Sequence, residues 1–304
     1  MLPLKEYVYH PKILLSLILK ECGFWIPDKH YLQLMYFLET ENVLRLKHPK
    51  TFGEKIQWLK LYDRQPKYTT MVDKYAVKDY VANIIGKKYI IPTLGVWDKP
   101  EDIEFASLPN QFVLKTTHGG GGVGIIVCKN KSVFNVNDAI QGLKKAMKQD
   151  IFRWGREWAY KNVKPRIIAE KYLVEEDGEL KDYKVFTFNG EPRIIELDYN
   201  RFKGHQRNLY DFSWNKIDAS IEYQSDSNRF FEKPKVLEEL FNISRQLSVG
   251  IPHVRIDYYI VDNHIYFGEF TFYHGSGYEK ISPKEFDYQL GKWLQLPNSL
   301  GNQQ

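Results

Sequence analysis

The segment Phe112-Val-Leu-Lys115-Thr-Thr-His-Gly119-Gly-Gly-Gly122-Val-Gly124-Ile-Ile-Val127 joins two strand-like runs through four consecutive glycines. Without Cβ atoms in the way, successive backbone N–H groups can turn into one concavity, which suits an anion. Lys115 at the end of the first run adds a point charge for phosphate. No Gly-Lys-Ser/Thr opens a helix after it, and no Gly-x-Gly-x-x-Gly stands in a βαβ setting, so the two commonest nucleotide loops are absent. Four glycines in a row have a large entropic cost and no packing use. That favours a lid over phosphate rather than a slack hairpin.

A second constellation lies near the C-terminus. Asp257 and Glu269 fall on two successive strand-like runs, and register decides whether they meet. A two-residue turn at Asp262-Asn263 would set Asp257 against Gly268 and scramble both faces. A three-residue turn, Asp262 to His264, sets Asp257 against Glu269. Val254, Ile256, Tyr258, Ile260, Tyr266, Gly268, Phe270 and Phe272 then share an apolar face, and Arg255, Asp257, Glu269 and Thr271 the other. Because a one-residue slip would expose the apolar set, the three-residue turn is expected. Facing carboxylates need a counter-charge. Mg²⁺, held by one or two carboxylates plus phosphates, is one answer; a salt-bridge cluster around Arg255 is the other. The residues alone leave both open.

The elements that would position these groups read as α+β with antiparallel sheets. Residues 1–70 are helical in texture, with Thr51-Phe-Gly-Glu54 as a capping box opening a helix to Leu61. One helix is expected from Met71 to about Ile85, closed by Gly86. Strands follow at 112–115, 123–127 and 166–169, around a helix at 138–148. Runs 182–188 and 191–197 flank Asn189-Gly190, a strong hairpin signal. A helix at 235–247 precedes the last hairpin. The change of texture near residue 110 is the best internal boundary.

At 304 residues with 43% apolar content, the chain has the size of two units and ample core. Its 43 basic against 38 acidic residues leave +5, which suits a phosphate-bearing or anionic small ligand and gives no reason to expect nucleic acid as a partner. Two cysteines, Cys22 and Cys128, make neither a disulfide framework nor a metal cluster. Ile13 to Leu19 is too short for a span of ~20 residues and lacks a cleavage site, so neither signal peptide nor membrane insertion is expected. A cytoplasmic protein is expected. The stripe Ile13, Leu14, Leu17 and Ile18 with its basic flanks could touch the inner membrane face, although packing on its own domain is the plainer reading. Nothing sets an oligomeric state.

Taken in order, Val72-Asp-Lys74, Phe112-Val-Leu-Lys115 with its glycines, Ile167-Ile-Ala-Glu170-Lys-Tyr-Leu173 and Arg255-Ile-Asp257…Gly268-Glu-Phe-Thr271 resemble the ATP-grasp superfamily. Thr51-Phe-Gly-Glu-Lys-Ile-Gln-Trp-Leu-Lys-Leu-Tyr-Asp-Arg64, Val72-Asp-Lys-Tyr75 and Ile91-Pro-Thr-Leu-Gly-Val-Trp97 resemble its teichuronopeptide-biosynthesis (TupA-like) branch, found in capsule and surface-polysaccharide pathways. The likeness covers roughly residues 45–290. It implies an ATP-grasp fold of two α+β lobes: a helical segment over 1–70, a small lobe with the lid over 71–172 and a C-terminal lobe with the metal site over 173–298.

Residue by residue, the resemblance implies that Lys74 and Lys115 hold ATP phosphates and the adenine side, with Gly119, Gly120, Gly121 and Gly122 as the lid. Glu170, Lys171 and Leu173 match the hinge that reads adenine, and Asp182 the ribose contact. Asp257 and Glu269 match the Mg²⁺ carboxylates, and Arg255, with Lys115, would act on the transferred phosphoryl group. Thr271 stands where many members place Asn, and the usual α/β first domain is replaced by about 70 helical residues. The implied reaction is an ATP-dependent carboxylate–amine ligation through an acyl phosphate, attaching an amino acid or amine to a carboxylated, uronic-acid-bearing glycan. Arg193, Arg201, Lys203, His205 and Arg207, or His274 and Ser276, are candidates for the acceptor. A glycosyltransferase of polysaccharide assembly is the alternative, but it calls for an Asp-x-Asp that the chain lacks. An ATP-grasp kinase would need an acceptor His or hydroxyl that does not stand out. The intact Lys115, Asp257 and Glu269 speak against a non-catalytic nucleotide binder.

Overall fold

The computed structural model describes residues 11–175, 180–199, 204–223, 225 and 229–297. Its N-terminal third is helical: α1 (Pro11–Cys22), α2 (Asp28–Thr40), α3 (Phe52–Tyr62), α4 (Lys67–Val72) and α5 (Ala76–Ile85). The capping box forms as expected, with Thr51 Oγ1 accepting from Glu54 N and the Glu54 carboxylate accepting from Thr51 N. Such a cap is worth about 1 kcal/mol. The single helix expected over 71–85 is instead two. Asp73 leaves the helical path and its Oδ1 accepts from Tyr75 N and Ala76 N, so an aspartate that could have ended one helix caps the next. Lys74 is thereby set in the break, its N–H bonded to Thr117 O.

Helix α1 packs on α2, in line with the plainer expectation. It buries only Ser16 and Leu19, while Ile13, Leu14, Leu15, Leu17 and Ile18 stay 38–48% exposed.

Two antiparallel sheets follow, as the pattern predicts. The smaller joins β1 (Thr93–Trp97), β2 (Phe112–Thr116), β3 (Ile125–Cys128) and β4 (Ile167–Lys171) in the order β1-β4-β2-β3. Helix α6 (Val136–Ala146) lies against β2, and Phe112, Leu114, Leu143, Ile167 and Ala169 form a separate small core. A short α7 (Ile151–Gly155) links this part to α1.

The larger sheet contains β5 (Asp182–Phe188), β6 (Glu191–Tyr199), β7 (Gln206–Asp211), β8 (Lys216–Ile217), β10 (His253–Val261) and β11 (His264–Thr271), ordered β11-β10-β5-β6-β7-β8. β9 (Ser220–Ile221) pairs with β12 (Ile281–Ser282). Asn189 and Gly190 both take positive φ, so the first large-sheet hairpin turns where the sequence predicts. Helix α8 (Leu237–Leu247) covers one face of β5 and β6. On the other face, Phe52 of α3 seals one end against Phe186, Phe188 and His253, with ring centroids 4.9–6.4 Å apart. Helix α9 (Lys284–Trp293) packs on α3, and the helices through Tyr89 belong to the same core as the large sheet.

The last hairpin reaches its register by another route than expected. Its turn has two residues, Asp262 and Asn263, both at positive φ, with Val261 paired to His264. A β-bulge then takes up Gly268, so that Tyr258 faces Phe267 while Asp257 faces Glu269. A Cβ at Gly268 would stand 2.9 Å from Asp257 O, which explains the glycine. Tyr266 consequently leaves the apolar face; Ile265 and Phe267 fill it. Hydrophobic pattern and turn chemistry asked for different registers, and the bulge satisfies both.

Candidate active site

Register gathers the large sheet's charges on one face. Glu269, Asp257, Lys184 and Glu196 stand side by side across β11, β10, β5 and β6. The row beyond holds Asp182, Asp198 and Arg207, and the row before it Thr271 and Arg255. Arg255 makes a two-pronged bond to Asp257, Nε to Oδ1 and Nη2 to Oδ2, each 2.7 Å. Its Nη2 also donates to Thr271 Oγ1 at 3.1 Å, so that threonine supports the arginine. Its Nη1 lies 2.6 Å from His274 Nδ1. A guanidinium only donates, so Nδ1 accepts here, and His274 Nε2 lies 2.7 Å from Glu279 Oε2.

Glu269 is paired differently. Its Oε2 lies 2.8 Å from Lys74 Nζ, which also donates to Gly119 O at 2.7 Å. One lysine in a helix break thus ties the start of the glycine loop to the carboxylate of the far sheet. Burial works against ionisation of Glu269, but Lys74, Arg255 and Lys115 outweigh it and hold its pKa down at about 2.

The small sheet supplies the opposite wall. Lys115 Nζ is 2.7 Å from Glu170 Oε2, whose Oε1 is 2.5 Å from Lys78 Nζ. Burial opposes the charge on Lys115, yet Glu170 raises its pKa above the ordinary lysine value. Ile125 and Val127 share the face of Lys115 and are 42% and 41% exposed. In the loop, Gly121 and Gly122 are exposed at φ +62° and +78°, Gly120 is half-buried, and Gly119 is buried against Thr116. His118 is buried, and burial together with Lys74 lowers its pKa. Lys171 and Leu173 follow at the end of β4, Lys171 N bonding Pro92 O.

Three residues that the sequence reading passed over, Lys184, Glu196 and Asp198, complete the large-sheet face together with Arg207. Lys184 bridges Glu196 at 3.1 Å and also Asp198; Arg207 holds Asp198 at 2.8 Å and Glu196 at 3.1 Å. All are at most 4% exposed. Burial would raise the Asp198 pKa, but Lys184 and Arg207 drive it far below the carboxylate range. A signal was present: charged residues at every second position of strands too apolar to face water.

The basic cluster proposed for an acceptor does not hold together. Arg207 is locked in the sheet, His205 Nε2 is 3.1 Å from Asp198, and Arg193 sits over Trp293 beside Arg245. Arg201 and Lys203 lie outside the described residues. Ser276 is turned towards α3: Lys60 Nζ donates to its Oγ and its carbonyl, both 2.8 Å, and Gln57 to the same carbonyl. Gly275, Ser276 and Gly277 all take positive φ, a tight left-handed turn held from behind by the helical segment.

A sequence profile described as TupA-like ATP-grasp matches residues 54–295. The chain belongs to the TupA-like ATP-grasp family. It is therefore an ATP-grasp enzyme, and the antiparallel two-sheet architecture is that fold. Solved structures similar to it include the D-alanine–D-alanine ligase of Helicobacter pylori, at 15% identity and TM-score 0.44, covering 81% of this chain and 69% of that one. The corresponding ligase of Bacillus anthracis complexed with ATP matches at 14% identity and TM-score 0.39, over 66% and 53%. N5-carboxyaminoimidazole ribonucleotide synthetase of Thermus thermophilus matches at 11% identity and TM-score 0.38, over 67% and 45%. The chain spans about half the length of the last two. No curated protein matches it. Among the described residues, no helix is long and apolar enough to cross a membrane.

ATP-grasp ligases work with ATP and generally with Mg²⁺. Among the described residues no group of three or more His, Cys, Asp or Glu gathers around one point. Asp257 and Glu269 nevertheless fit such an ion by donor chemistry. They are two hard oxygen ligands directly opposite each other, one a third exposed, in a site where phosphate oxygens and water would complete the shell.

Proposed function

We propose that this chain is an ATP-dependent carboxylate–amine ligase acting through an acyl phosphate, and that it attaches an amino acid or amine to a carboxylated, uronic-acid-bearing surface polysaccharide or its precursor. The observation behind the reading is the junction of the two sheets. Lys74 bonds both Gly119 O and Glu269, and Lys115 of the small sheet and Arg255 of the large one both act on the Glu269 carboxylate, with Asp257 bonded to Arg255. ATP phosphates would lie between Lys74, Lys115 and Gly120–Gly122; Glu170, Lys171 and Leu173 would meet the adenine, and Asp182 the ribose. Asp257 and Glu269 would hold Mg²⁺, which supplies charge neutralisation on the phosphate oxygens when bound.

A carboxylate oxygen of the donor attacks the γ-phosphorus, and the bridging oxygen leaves with ADP. The amine nitrogen then attacks the acyl carbon, phosphate departs, and the amine proton passes to solvent or to the phosphate. Arg255 and Lys115 spread the charge on the transferred group, and their hydrogen-bond partners hold them so that little reorganisation is needed. The glycine loop excludes the water that would hydrolyse an acyl phosphate. An ATP-consuming reaction of this kind belongs in the cytoplasm, and the exposed Ile13, Leu14, Leu17 and Ile18 of α1 would let the protein rest on the membrane where such glycans are assembled. Sedimentation with anionic vesicles, lost in a Leu14→Ser, Ile18→Ser variant, tests that placement.

The decisive assay gives purified protein ATP, Mg²⁺ and pairs drawn from amino acids and carboxylated glycans. ADP and phosphate should form only when both a carboxylate and an amine are present. Release of a nucleoside diphosphate from a sugar nucleotide, with no ADP from ATP, would overturn the reading in favour of glycosyl transfer.

A further inference from the structure

A cavity of about 510 Å³ opens between the N-terminal helices and the C-terminal end of the chain. Its floor is the left-handed turn after β11, with His274, Gly277 and Glu279; Tyr36 of α2 and Tyr288 of α9 form walls. His274 places this floor one side chain from Arg255. The floor has little freedom, because a Cβ at Gly277 would stand 2.6 Å from Gln57 Nε2 and 2.8 Å from Ile56 Cγ2 of α3. Its shape is therefore imposed by the helical segment.

The charges are sorted by depth. At the bottom, the Glu279 side chain is 22% exposed. At the rim stand Arg45, Lys280 and Lys284, with Glu39 and Glu41, which are held by Lys20 and Lys12 respectively. Arg45 is taken by Glu54 at 3.1 Å, whereas among the described residues neither the Lys280 nor the Lys284 ammonium has a carboxylate within 4.0 Å. A ligand that matches this order has a cation inside and an anion outside. A carboxylate pushed to the floor would meet Glu279, and an acidic glycan has no cation to offer it. The volume is that of pockets that enclose whole small molecules, with room for a side chain.

We infer that this cavity is the binding site of the amine substrate and that the substrate is a free amino acid, its ammonium at Glu279 and its carboxylate at Lys280 and Lys284. The assignment rests on the ligase reading and adds the class of nucleophile and the direction from which it reaches the cleft. The bound amine would point past His274 towards Arg255, where the acyl phosphate forms. Tyr36 and Tyr288 would flank the side chain.

The test is calorimetric titration of the full chain, with a non-hydrolysable ATP analogue and Mg²⁺ present. The common amino acids, their N-acetyl derivatives and galacturonate oligomers are the probes. At least one free amino acid should bind, and its N-acetyl form at least tenfold more weakly. A Lys280→Ala, Lys284→Ala variant should lose at least tenfold in amino-acid affinity and bind the ATP analogue unchanged. Glu279→Gln should weaken the amino acid but not its N-acetyl form. The inference fails if no amino acid binds, if acetylation makes no difference, if the lysine variant binds normally, or if galacturonate oligomers bind in a way that depends on Lys280 and Lys284. Failure of the ATP analogue itself to bind would instead sink the ligase reading, so the two outcomes are separable.

Discussion

On the small sheet, Lys115 and Lys78 share one carboxylate, Glu170, beside a hairpin whose Ile125 and Val127 stand largely open. On the large sheet, Lys184, Glu196, Asp198, Arg207, Arg255 and Asp257 interlock in a buried lattice where each charge meets at least one opposite charge. The first wall ends in glycines at positive φ, with nothing within 4 Å of where a Cβ would stand on Gly121 or Gly122; the second is gripped by α3 and α8. One wall has an open glycine edge and the other is paired throughout. On the proposed ligase reading, pre-set charges would need no rearrangement when a phosphoryl group passes, and the open edge would let ATP enter. Lys74, bonded to both Gly119 and Glu269, is the tie between them.

The sharpest way to break this contrast is at the large-sheet carboxylates. Asp257→Asn or Glu269→Gln should cut ATP-dependent product formation at least ~1,000-fold, about 4 kcal/mol of transition-state stabilisation, with cooperative unfolding retained. Near-normal turnover in both would remove these carboxylates from the chemistry. Next comes stability. Lys184→Met removes the buried ammonium that Glu196 and Asp198 share and should cost ~3–5 kcal/mol in urea unfolding. Lys115→Met, with Lys78 still on Glu170, should cost ~1 kcal/mol but weaken ATP binding tenfold or more. Equal losses of stability would mean that the walls do not differ.

His253 sharpens the contrast further. It lies on the Arg255 face, sealed by Phe52, and its Nδ1–H bonds Thr187 O. Burial depresses its pKa to about 3, against 6.5 for the free side chain. The unfolded chain therefore takes up a proton between those values that the folded one refuses. His253 destabilises the fold progressively as pH falls from about 6.5 to 3, by up to ~1.4 kcal/mol per pH unit. The difference in unfolding free energy between wild type and His253→Gln should trace that slope; a flat difference would refute the burial account. The smallest effect is expected at the lid. Gly121→Ala asks alanine to hold φ +62° and should cost ~1 kcal/mol locally, read as a several-fold fall in kcat with Tm nearly unchanged.

Much of the framework was legible because it is local. Thr51 and Glu54 close a capping box within one turn of helix, and Asn189-Gly190 turns a hairpin with its own φ preferences. Lys115 beside the glycines and Asp257 opposite Glu269 could likewise be found along the chain. The bulge at Gly268 was not, because the turn rule and the face rule conflict in the sequence and only packing against the core reconciles them. The break at Asp73 was hidden by a helix-compatible run on both sides.

The residue types, their alternation and their caps by themselves determined antiparallel sheets, a glycine-edged loop beside a lysine and a facing carboxylate pair, because each depends on neighbours close along the chain. Only the tertiary structure decided that Lys74 joins loop to carboxylate, that Lys184 and Arg207 complete the ionic face, and that α3 shapes the floor of the cavity. Those contacts join residues from 9 positions apart, Asp198 with Arg207, to 220 apart, Gln57 with Gly277. The longer closures depend on a loop-closure entropy and a burial that no short segment contains.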